Sequence, residues 1–366
     1  MATSTLFHPL TVTRLRPEAG DAVVMTLRIP PALLETFDFQ PGQFLTIKAN
    51  VNQAELRRSY SICSTPRQLK AQGELEVGIR VIPGGLFSNW VADNVKVNDV
   101  LSVMAPDGRF VSERAHAHHR VGIAAGSGIT PILSIMRHVL ETEDKSQFTL
   151  IYGNRNMASV MFNEVLQDLK DQYPDRVSLV HVLSRQAQEV ELLMGRIDEK
   201  KIHTLLQSLL PVQSMEEVFV CGPEAMIEAT EHALTQAGVS SDRIHSERFG
   251  STANGSQQHP PSPSSQATAQ DSAKTVAVTV VLDGVAHPFR MSPNAHILDM
   301  ALSAGLDLPY SCKGGVCCTC RAKVMHGSVR MDKNFTLEKW ETDQGFVLSC
   351  QAIPTSDQVT LSFDER

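Results

Sequence analysis

The sequence contains no apolar stretch long enough to cross a membrane. Its best candidate, residues 121–136, is interrupted by Gly126, Ser127, Gly128 and Pro131, whereas a membrane-spanning helix needs about 20 predominantly apolar residues. The first ten residues, MATSTLFHPL, have neither the basic start nor the apolar core of a signal peptide. We therefore expect a cytoplasmic protein that does not associate with membranes.

The sequence also has no excess of basic residues. Lys and Arg together number 33 and Asp and Glu 40, which gives a formal net charge of −7. Proteins that bind nucleic acid normally present a basic surface, so this balance argues against that class of function. With 366 residues, of which 42% are hydrophobic, the chain is long enough for two or three domains with their own cores.

Large apolar residues are missing from residues 251–273. This segment has no Val, Ile, Leu, Met, Phe, Trp, Tyr or Cys and therefore cannot bury much apolar surface. We predict that it is a flexible linker between the first 250 residues and a C-terminal domain over residues 274–366.

The pattern of the first 250 residues changes near residue 112. From residue 10 to residue 111, short β-rich runs such as GQFLTIKA alternate with Pro and Gly, which predicts an antiparallel β-barrel domain over residues 1–112. From residue 120, apolar runs such as VSLVHVL alternate with helical segments. That alternation predicts an α/β domain with a parallel sheet over residues 113–250.

Five of the seven cysteines are clustered near the C-terminal end of the chain. Clustered thiols in a protein without a secretion signal are typical of metal ligands. Cys312, Cys317 and Cys320 have the spacing C-x4-C-x2-C, and Cys350 follows after 29 further residues. This four-ligand spacing is typical of the plant-type ferredoxin 2Fe–2S cluster, so we predict an α+β (β-grasp) ferredoxin-type domain.

A structural zinc site and inert thiols are the alternatives for these cysteines. Zinc sites usually combine a C-x2-C pair with a second close pair or with histidines, and His287, His296 and His326 have no such spacing. Cys318 lies inside the x2 gap and is predicted not to be a ligand.

Four short motifs precede the linker in a fixed order. The sequence R-S-Y-S at 58–61 lies on a predicted strand, where a period of two puts Arg58 and Tyr60 on one face. G-G-L-F-S follows at 84–88, and G-S-G-I-T-P at 126–131 joins an apolar strand to a helix, as in phosphate-binding loops. C-G-P at 221–223 ends a further strand. In this combination the first 250 residues resemble the ferredoxin–NADP reductase superfamily.

The resemblance implies an FAD site in the barrel domain. Arg58 is expected to meet the flavin phosphates, although Arg57 is an alternative, and Tyr60 to lie along the isoalloxazine and ribityl chain. Ser61 is expected to bond near flavin N5. Two further sets of residues are implied: Gly85, Leu86 and Ser88 at the pyrophosphate, and Glu247 and Phe249 beside the isoalloxazine. FMN remains an alternative to FAD.

The resemblance also implies a nicotinamide nucleotide site in the α/β domain. Its backbone loop is expected to comprise Gly126, Gly128, Thr130 and Pro131, followed by Cys221, Gly222 and Pro223. Cys221 is expected to lie against the carbon that gives up hydride. Ser184 and Arg185, assisted by Arg155, lie where members that use NADPH hold the 2′-phosphate, and an arginine fork suits a phosphate. We therefore expect NADPH, with NADH as the alternative.

Together these features resemble the reductase components of bacterial multicomponent oxygenases. That resemblance implies electron transfer from NADPH to FAD, to the 2Fe–2S cluster and then to a partner oxygenase component. A flavin belongs between the other two because it accepts two electrons and releases them singly. For the partner oxygenase, a Rieske dioxygenase and a steroid hydroxylase are alternatives. For the function, the alternative is a redox sensor without enzymatic activity.

Overall fold

A computed structural model of the protein describes residues 6–210, 212–249 and 275–365. The chain forms two compact units, of which the first ends at Phe249. The predicted linker, residues 251–273, lies outside the described residues. The predicted domain boundaries at 112, 250 and 273 stay predictions.

The first unit begins with a closed antiparallel barrel. Its elements are β1 (Phe7–Glu18), β2 (Ala22–Arg28), β3 (Phe44–Val51), β4 (Ala54–Ser61), α1 (Pro66–Gln72), β5 (Glu74–Arg80), α2 (Leu86–Asn94) and β6 (Val100–Met104). The strands are hydrogen-bonded in the order β4-β3-β6-β1-β2-β5. A bridge between Ile62, just after β4, and Val77 in β5 joins the two edges. The structure confirms the antiparallel barrel.

The second part of this unit is a parallel sheet flanked by helices. Its elements are β7 (His119–Ala125), α3 (Ile129–Thr142), β8 (Gln147–Asn154), α4 (Asn163–Gln172), β9 (Val177–Leu183), α5 (Glu199–Ser208), β10 (Glu217–Gly222), α6 (Glu224–Gln236) and β11 (Ile244–Arg248). The strand order is β11-β10-β7-β8-β9, and every pairing is parallel. Because the order reverses between β7 and β10, a crevice for ligands is expected at their carboxyl ends.

A buried ion cluster fastens the barrel to this parallel sheet. Arg120 at the start of β7 binds Glu217 on β10 at 2.8 Å and Glu143 at 2.7 Å, and Arg120 and Glu217 are almost fully buried. The hydroxyl of Ser112, in the connection from the barrel, donates to Glu217 at 2.6 Å. Burial raises the pKa of Glu217, but hydrogen bonds from His245, Ser112 and Arg120 outweigh it and lower that pKa to about 2. Glu217 therefore stays ionised and holds the connecting segment.

The second unit is an α+β fold. Its elements are β12 (Val276–Leu282), β13 (Val285–Met291), α7 (Ile297–Ser303), β14 (Arg321–His326), β15 (Val329–Met331), α8 (Lys339–Asp343), β16 (Phe346–Leu348), β17 (Ala352–Pro354) and β18 (Gln358–Ser362). A mixed sheet runs β13-β12-β18-β14-β16, with β12 and β18 parallel, and β15 pairs with β17. The structure confirms the β-grasp type of fold. Across the described ranges, no helix combines the length and apolarity that a membrane span requires.

Candidate functional site

The four predicted ligand cysteines meet in two pairs. The thiols of Cys312 and Cys317 interact with each other, and so do those of Cys320 and Cys350. Cys320 directly precedes β14, and Cys350 follows β16, its neighbour in the sheet. The sheet therefore brings the distant fourth cysteine to the segment that carries the other three.

Backbone N–H groups surround the Cys312 sulfur. Left-handed conformations at Lys313 (φ 51°) and Gly315 (φ 79°) wrap the chain, and the N–H of Gly314 donates to Cys312 Sγ at 3.2 Å. A hydrogen bond from the Cys317 thiol and backbone N–H groups together lower the pKa of Cys312 to about 6, against the opposing effect of burial. Because the thiolate is the metal-binding form, this loop favours a ligand.

The paired arrangement suits two metal ions better than one. A zinc ion would need four side chains around one point. Two pairs of thiolates are what a 2Fe–2S cluster needs, because four cysteines are shared between two irons. Cys318 instead contacts the hydroxyl of Thr336 at 3.1 Å.

Strand β4 presents its two arginines differently. Arg57 is 6% exposed, binds Glu55 at 2.9 Å and lies over the ring of Phe7 at 5.0 Å. Arg58 is half-buried and its charge acts on Tyr60, whose pKa is nonetheless raised by burial. Arg58 and Tyr60 thus share one environment, and Arg58 as the phosphate ligand stays a prediction.

The N-terminus of α2 forms a compact backbone turn next to Tyr60. Phe87 packs on the Tyr60 ring with centroids 6.0 Å apart. Ser88 accepts the N–H of Ile82 at 3.2 Å, and a Cβ on Gly85 would lie 2.8 Å from the Ser88 hydroxyl. Since the first turn of a helix offers N–H groups with no intrahelical acceptor, the segment that begins at Leu86 fits an anionic pyrophosphate.

Three predicted catalytic residues meet where the barrel touches the parallel sheet. The hydroxyl of Ser61, at the end of β4, donates to Glu247 on β11 at 3.0 Å. Glu247 is paired in register with Cys221 on β10. Burial raises the pKa of Glu247 to about 8, although the hydrogen bond from Ser61 opposes it. Burial, with the nearby Glu247, also raises the pKa of Cys221 well above its usual value. Both groups therefore retain their protons at neutral pH.

The loop after β7, Gly126–Gly128, which we call the dinucleotide loop, touches the end of β10. A Cβ on Gly128 would lie only 2.1 Å from the backbone oxygen of Cys221, so only glycine allows this approach. Gly126 is left-handed (φ 56°), and its carbonyl accepts the hydroxyl of the buried Tyr152 at 2.8 Å. The hydroxyl of Thr130 donates to Ser127 O at 2.9 Å.

A proline lies at or near the start of each helix that follows these strands. Pro131 lies in the first turn of α3, and Pro223 is the residue that precedes α6, directly after Gly222. The backbone N–H groups at the start of both helices consequently lie at the carboxyl ends of β7 and β10, where a dinucleotide phosphate is expected.

The residues predicted to select NADPH lie beyond β8 and β9. The N–H groups of Ser184 and Arg185 donate to the carbonyls of Asn154 and Arg155, so the two segments run side by side. Arg185 is exposed, whereas Arg155 binds Asp21 of the barrel at 2.6 Å. This ion pair was not expected from the sequence. It engages Arg155 in holding the barrel to the sheet.

Sequence reasoning missed Arg80 and assigned Phe249 only by resemblance. Arg80, at the end of β5, binds Asp21 at 3.4 Å and donates to Ser159 O at 2.9 Å, beside the dinucleotide loop. The sequence feature that could have revealed Arg80 is a basic residue at the end of a predicted strand, shortly before G-G-L-F-S. Phe249 directly follows β11 and is 39% exposed.

Three family models match successive parts of the chain. They are an oxidoreductase FAD-binding domain at residues 10–111, an oxidoreductase NAD-binding domain at 123–232 and a 2Fe-2S iron-sulfur cluster binding domain at 280–355. One of the subunits of the 1,2-phenylacetyl-CoA epoxidase of Escherichia coli (strain K12) is 42% identical over 365 residues, 99% of each chain. The chain belongs to the ferredoxin–NADP reductase family with a fused 2Fe–2S domain. The protein is an NAD(P)H-dependent flavin and iron–sulfur oxidoreductase.

Other members support the same assignment for this reductase. The 3-ketosteroid-9-alpha-monooxygenase ferredoxin reductase component of Mycobacterium tuberculosis (strain CDC 1551 / Oshkosh) is 35% identical over 340 residues, 92% of this chain and 88% of the relative. Phthalate dioxygenase reductase shares the fold, with a TM-score of 0.60 at 20% identity over 98% of each chain. FAD, a nicotinamide nucleotide and a 2Fe–2S cluster thus correspond to the three sites described above.

Proposed function

We propose that this reductase takes electrons from NADPH and delivers them, through FAD and its own 2Fe–2S cluster, to a partner oxygenase. The contact between Ser61 and Glu247 beside Cys221 carries the proposal, because it places residues of the barrel and of the parallel sheet at one point. A bound flavin supplies the change from a two-electron hydride to the single electrons that a 2Fe–2S cluster accepts. We place the reaction in the cytoplasm, where thiols are kept reduced.

At this point the chain's own residues would bind and orient the flavin and the nucleotide, and one of them would hold a proton. Arg58 and the start of α2 would hold the flavin phosphates, and the Gly126–Gly128 loop the nucleotide phosphates. The buried Cys221 thiol stays neutral and presents a small, uncharged surface at the crevice. Glu247 holds a proton at neutral pH, and Ser61 fixes the direction of its carboxyl group.

An anaerobic titration of the purified protein with NADPH, and separately with NADH, tests this pathway. We expect NADPH to bleach both the flavin and the iron–sulfur absorption bands. Bleaching of the flavin alone would contradict an internal path to the cluster. Replacing the exposed Arg185 by Gln should lower kcat/KM for NADPH about tenfold and leave NADH unaffected, since a bidentate arginine–phosphate contact is lost. Equal effects on both nucleotides would remove the 2′-phosphate role from Arg185.

For the partner, we propose a di-iron phenylacetyl-CoA epoxidase. The E. coli relative, matched over 99% of both chains, supports this partner. The steroid monooxygenase relative, at 35% identity, favours a steroid hydroxylase as the second candidate. The reductase should be reconstituted with each purified oxygenase and its own substrate, and we expect rapid, NADPH-dependent epoxidation of phenylacetyl-CoA with the epoxidase and slower turnover with the steroid oxygenase. Faster turnover with the steroid oxygenase would reverse the order of the two candidates.

A further inference from the structure

A buried glutamine reaches from the fourth cysteine back to the other three. Gln351 directly follows Cys350 and is 6% exposed. Its side-chain amide nitrogen donates to the carbonyl of Lys313 at 2.9 Å, to that of Cys350 at 3.0 Å and to Cys350 Sγ at 3.6 Å. The side chain therefore connects Cys350 to residues 312–320, which we call the cluster loop.

The contact with Lys313 fixes the direction of one particular peptide group. The carbonyl of Lys313 and the N–H of Gly314 belong to the same planar peptide and point in opposite directions. Gln351 holds the carbonyl on one side, and on the other side the N–H donates to Cys312 Sγ at 3.2 Å. If the carbonyl lost its donor, rotation of this peptide would turn the N–H away from the sulfur.

We propose that Gln351 is a positioning residue that sets the reduction potential of the 2Fe–2S cluster through the Lys313–Gly314 peptide. Hydrogen bonds to the sulfurs are among the features that set the potentials of such clusters. An N–H dipole aimed at a sulfur stabilises the added negative charge of the reduced cluster, whereas a carbonyl turned toward it has the opposite effect. Gln351 thereby makes the cluster easier to reduce, although its main hydrogen bond is made to the backbone.

Packing and hydrogen bonding at Gln351 can be separated by substitution. A Cβ on Gly315 would lie 3.3 Å from Gln351 Cγ, so the glutamine stem packs beneath the cluster loop. Gln351→Met keeps a flexible stem of similar length and removes the amide group, which donates these hydrogen bonds. The backbone of residue 351 keeps its own partners, Leu348 O at 2.8 Å and the Asp332 N–H at 3.0 Å.

A mediated potentiometric titration of the full-length holoprotein, followed by EPR, tests the proposal. We expect Gln351→Met to lower the equilibrium constant for cluster reduction about tenfold, a midpoint roughly 59 mV more negative for a one-electron couple. The g-values of the reduced cluster should also shift. Gln358→Met, at an exposed position of β18, is the matched control and should keep the wild-type midpoint. A fully loaded Gln351→Met protein with the wild-type midpoint would overturn the proposal.

A second variant decides the matter if Gln351→Met does not retain its cluster. Gln351→Asn keeps the amide donors but is one methylene shorter, so it should load the cluster and still show a more negative midpoint. A loaded Gln351→Asn protein with an unchanged midpoint, or loss of the cluster in both variants, would assign residue 351 to folding alone and reject the proposal. The titration needs neither NADPH nor an oxygenase, so its outcome is independent of the proposed function.

Discussion

The cluster loop and the contact around Cys221 are assembled in opposite ways. In the cluster loop, Cys312, Cys317 and Cys320 lie within nine consecutive residues, and one neighbouring strand supplies the fourth ligand. At Cys221, the partners Ser61 and Glu247 are 186 residues apart and come from different sheets. The first site is a property of a local turn, whereas the second exists only when the barrel and the parallel sheet are joined.

The two sites also treat negative charge differently. In the cluster loop, the Cys317 thiol and backbone N–H groups lower the pKa of Cys312 to about 6, whereas the partner thiols and burial raise the pKa values of Cys317 and Cys320. At the junction, burial dominates and raises the pKa of Glu247 to about 8, and it also raises that of Cys221 well above its usual value. The cluster loop thus favours the anionic form at Cys312, whereas the junction favours neutral groups that carry protons.

The largest effect is expected from the loss of a predicted ligand of the 2Fe–2S cluster. Replacing Cys350 by Ala removes one member of the Cys320–Cys350 pair and should abolish the cluster, because the second iron loses half of its protein ligands. Iron and acid-labile sulfide analysis of the purified protein measures this loss. Cys318→Ala is the matched control and should retain a full cluster. A cluster retained in Cys350→Ala, or lost in Cys318→Ala, would contradict the two-pair assignment.

A large effect is also expected where the loop after β7 meets β10. In Gly128→Ala, the new Cβ would lie 2.1 Å from the backbone oxygen of Cys221, so the two segments must separate. A displacement of about 1 Å at a reacting site costs on the order of a hundredfold in rate. Stopped-flow reduction by NADPH should show that loss, while flavin content and the dithionite-reduced cluster signal stay normal. A wild-type rate would mean that this approach is not needed for hydride transfer.

The contrast between the sites explains what the sequence could reveal. The C-x4-C-x2-C spacing and the apolar run of β9 are local patterns, and the structure has strand β9 over the same residues, Val177–Leu183. Strand β11 is different because its sequence, IHSER, is polar and half-buried throughout. Its place in the sheet comes from pairing with β10, which no local pattern reports.

The ion pairs inside the first unit could not be predicted from the sequence for the same reason. Arg120 and Glu217 are both buried near the starts of β7 and β10, and their pairing spans 97 residues. The ion pair between Arg155 and Asp21 joins the parallel sheet to the barrel across 134 residues. Such contacts follow from the packing of the two sheets, so motif spacing alone cannot predict them.

The protonation of Glu247 gives a sharper test of the junction. Because its pKa is raised to about 8, the carboxyl is neutral below that pH and becomes charged above it. A negative charge there would oppose the arrival of hydride, so NADPH-driven reduction should slow about tenfold per pH unit above the pKa. Glu247→Gln should remove this alkaline limb. Infrared spectra should show a protonated carboxyl band that titrates near pH 8 in the wild type alone, and a flat wild-type profile would refute the assignment.

The same pKa has a consequence for stability. The folded protein holds the Glu247 proton more tightly than the unfolded chain, whose carboxyl has the ordinary value near 4.5. Between these two pH values the native state binds more protons, so the contribution of Glu247 to the free energy of unfolding falls as pH rises. Glu247→Gln should therefore gain stability relative to the wild type as the pH is raised from 5 toward 8.

The smallest effect is expected from the hydroxyl of Tyr152. Its ring is fully buried, and its hydroxyl donates to the carbonyl of Gly126, the left-handed residue of the dinucleotide loop. Tyr152→Phe keeps the packing and removes one hydrogen bond, so KM for NADPH should rise about threefold to tenfold with little change in kcat. Tyr173→Phe serves as the matched control, because the Tyr173 hydroxyl accepts a hydrogen bond from the exposed Gln172 side chain. An unchanged KM would show that the loop holds its shape without Tyr152, and that the close approach of Gly128 to Cys221 is sufficient to place it.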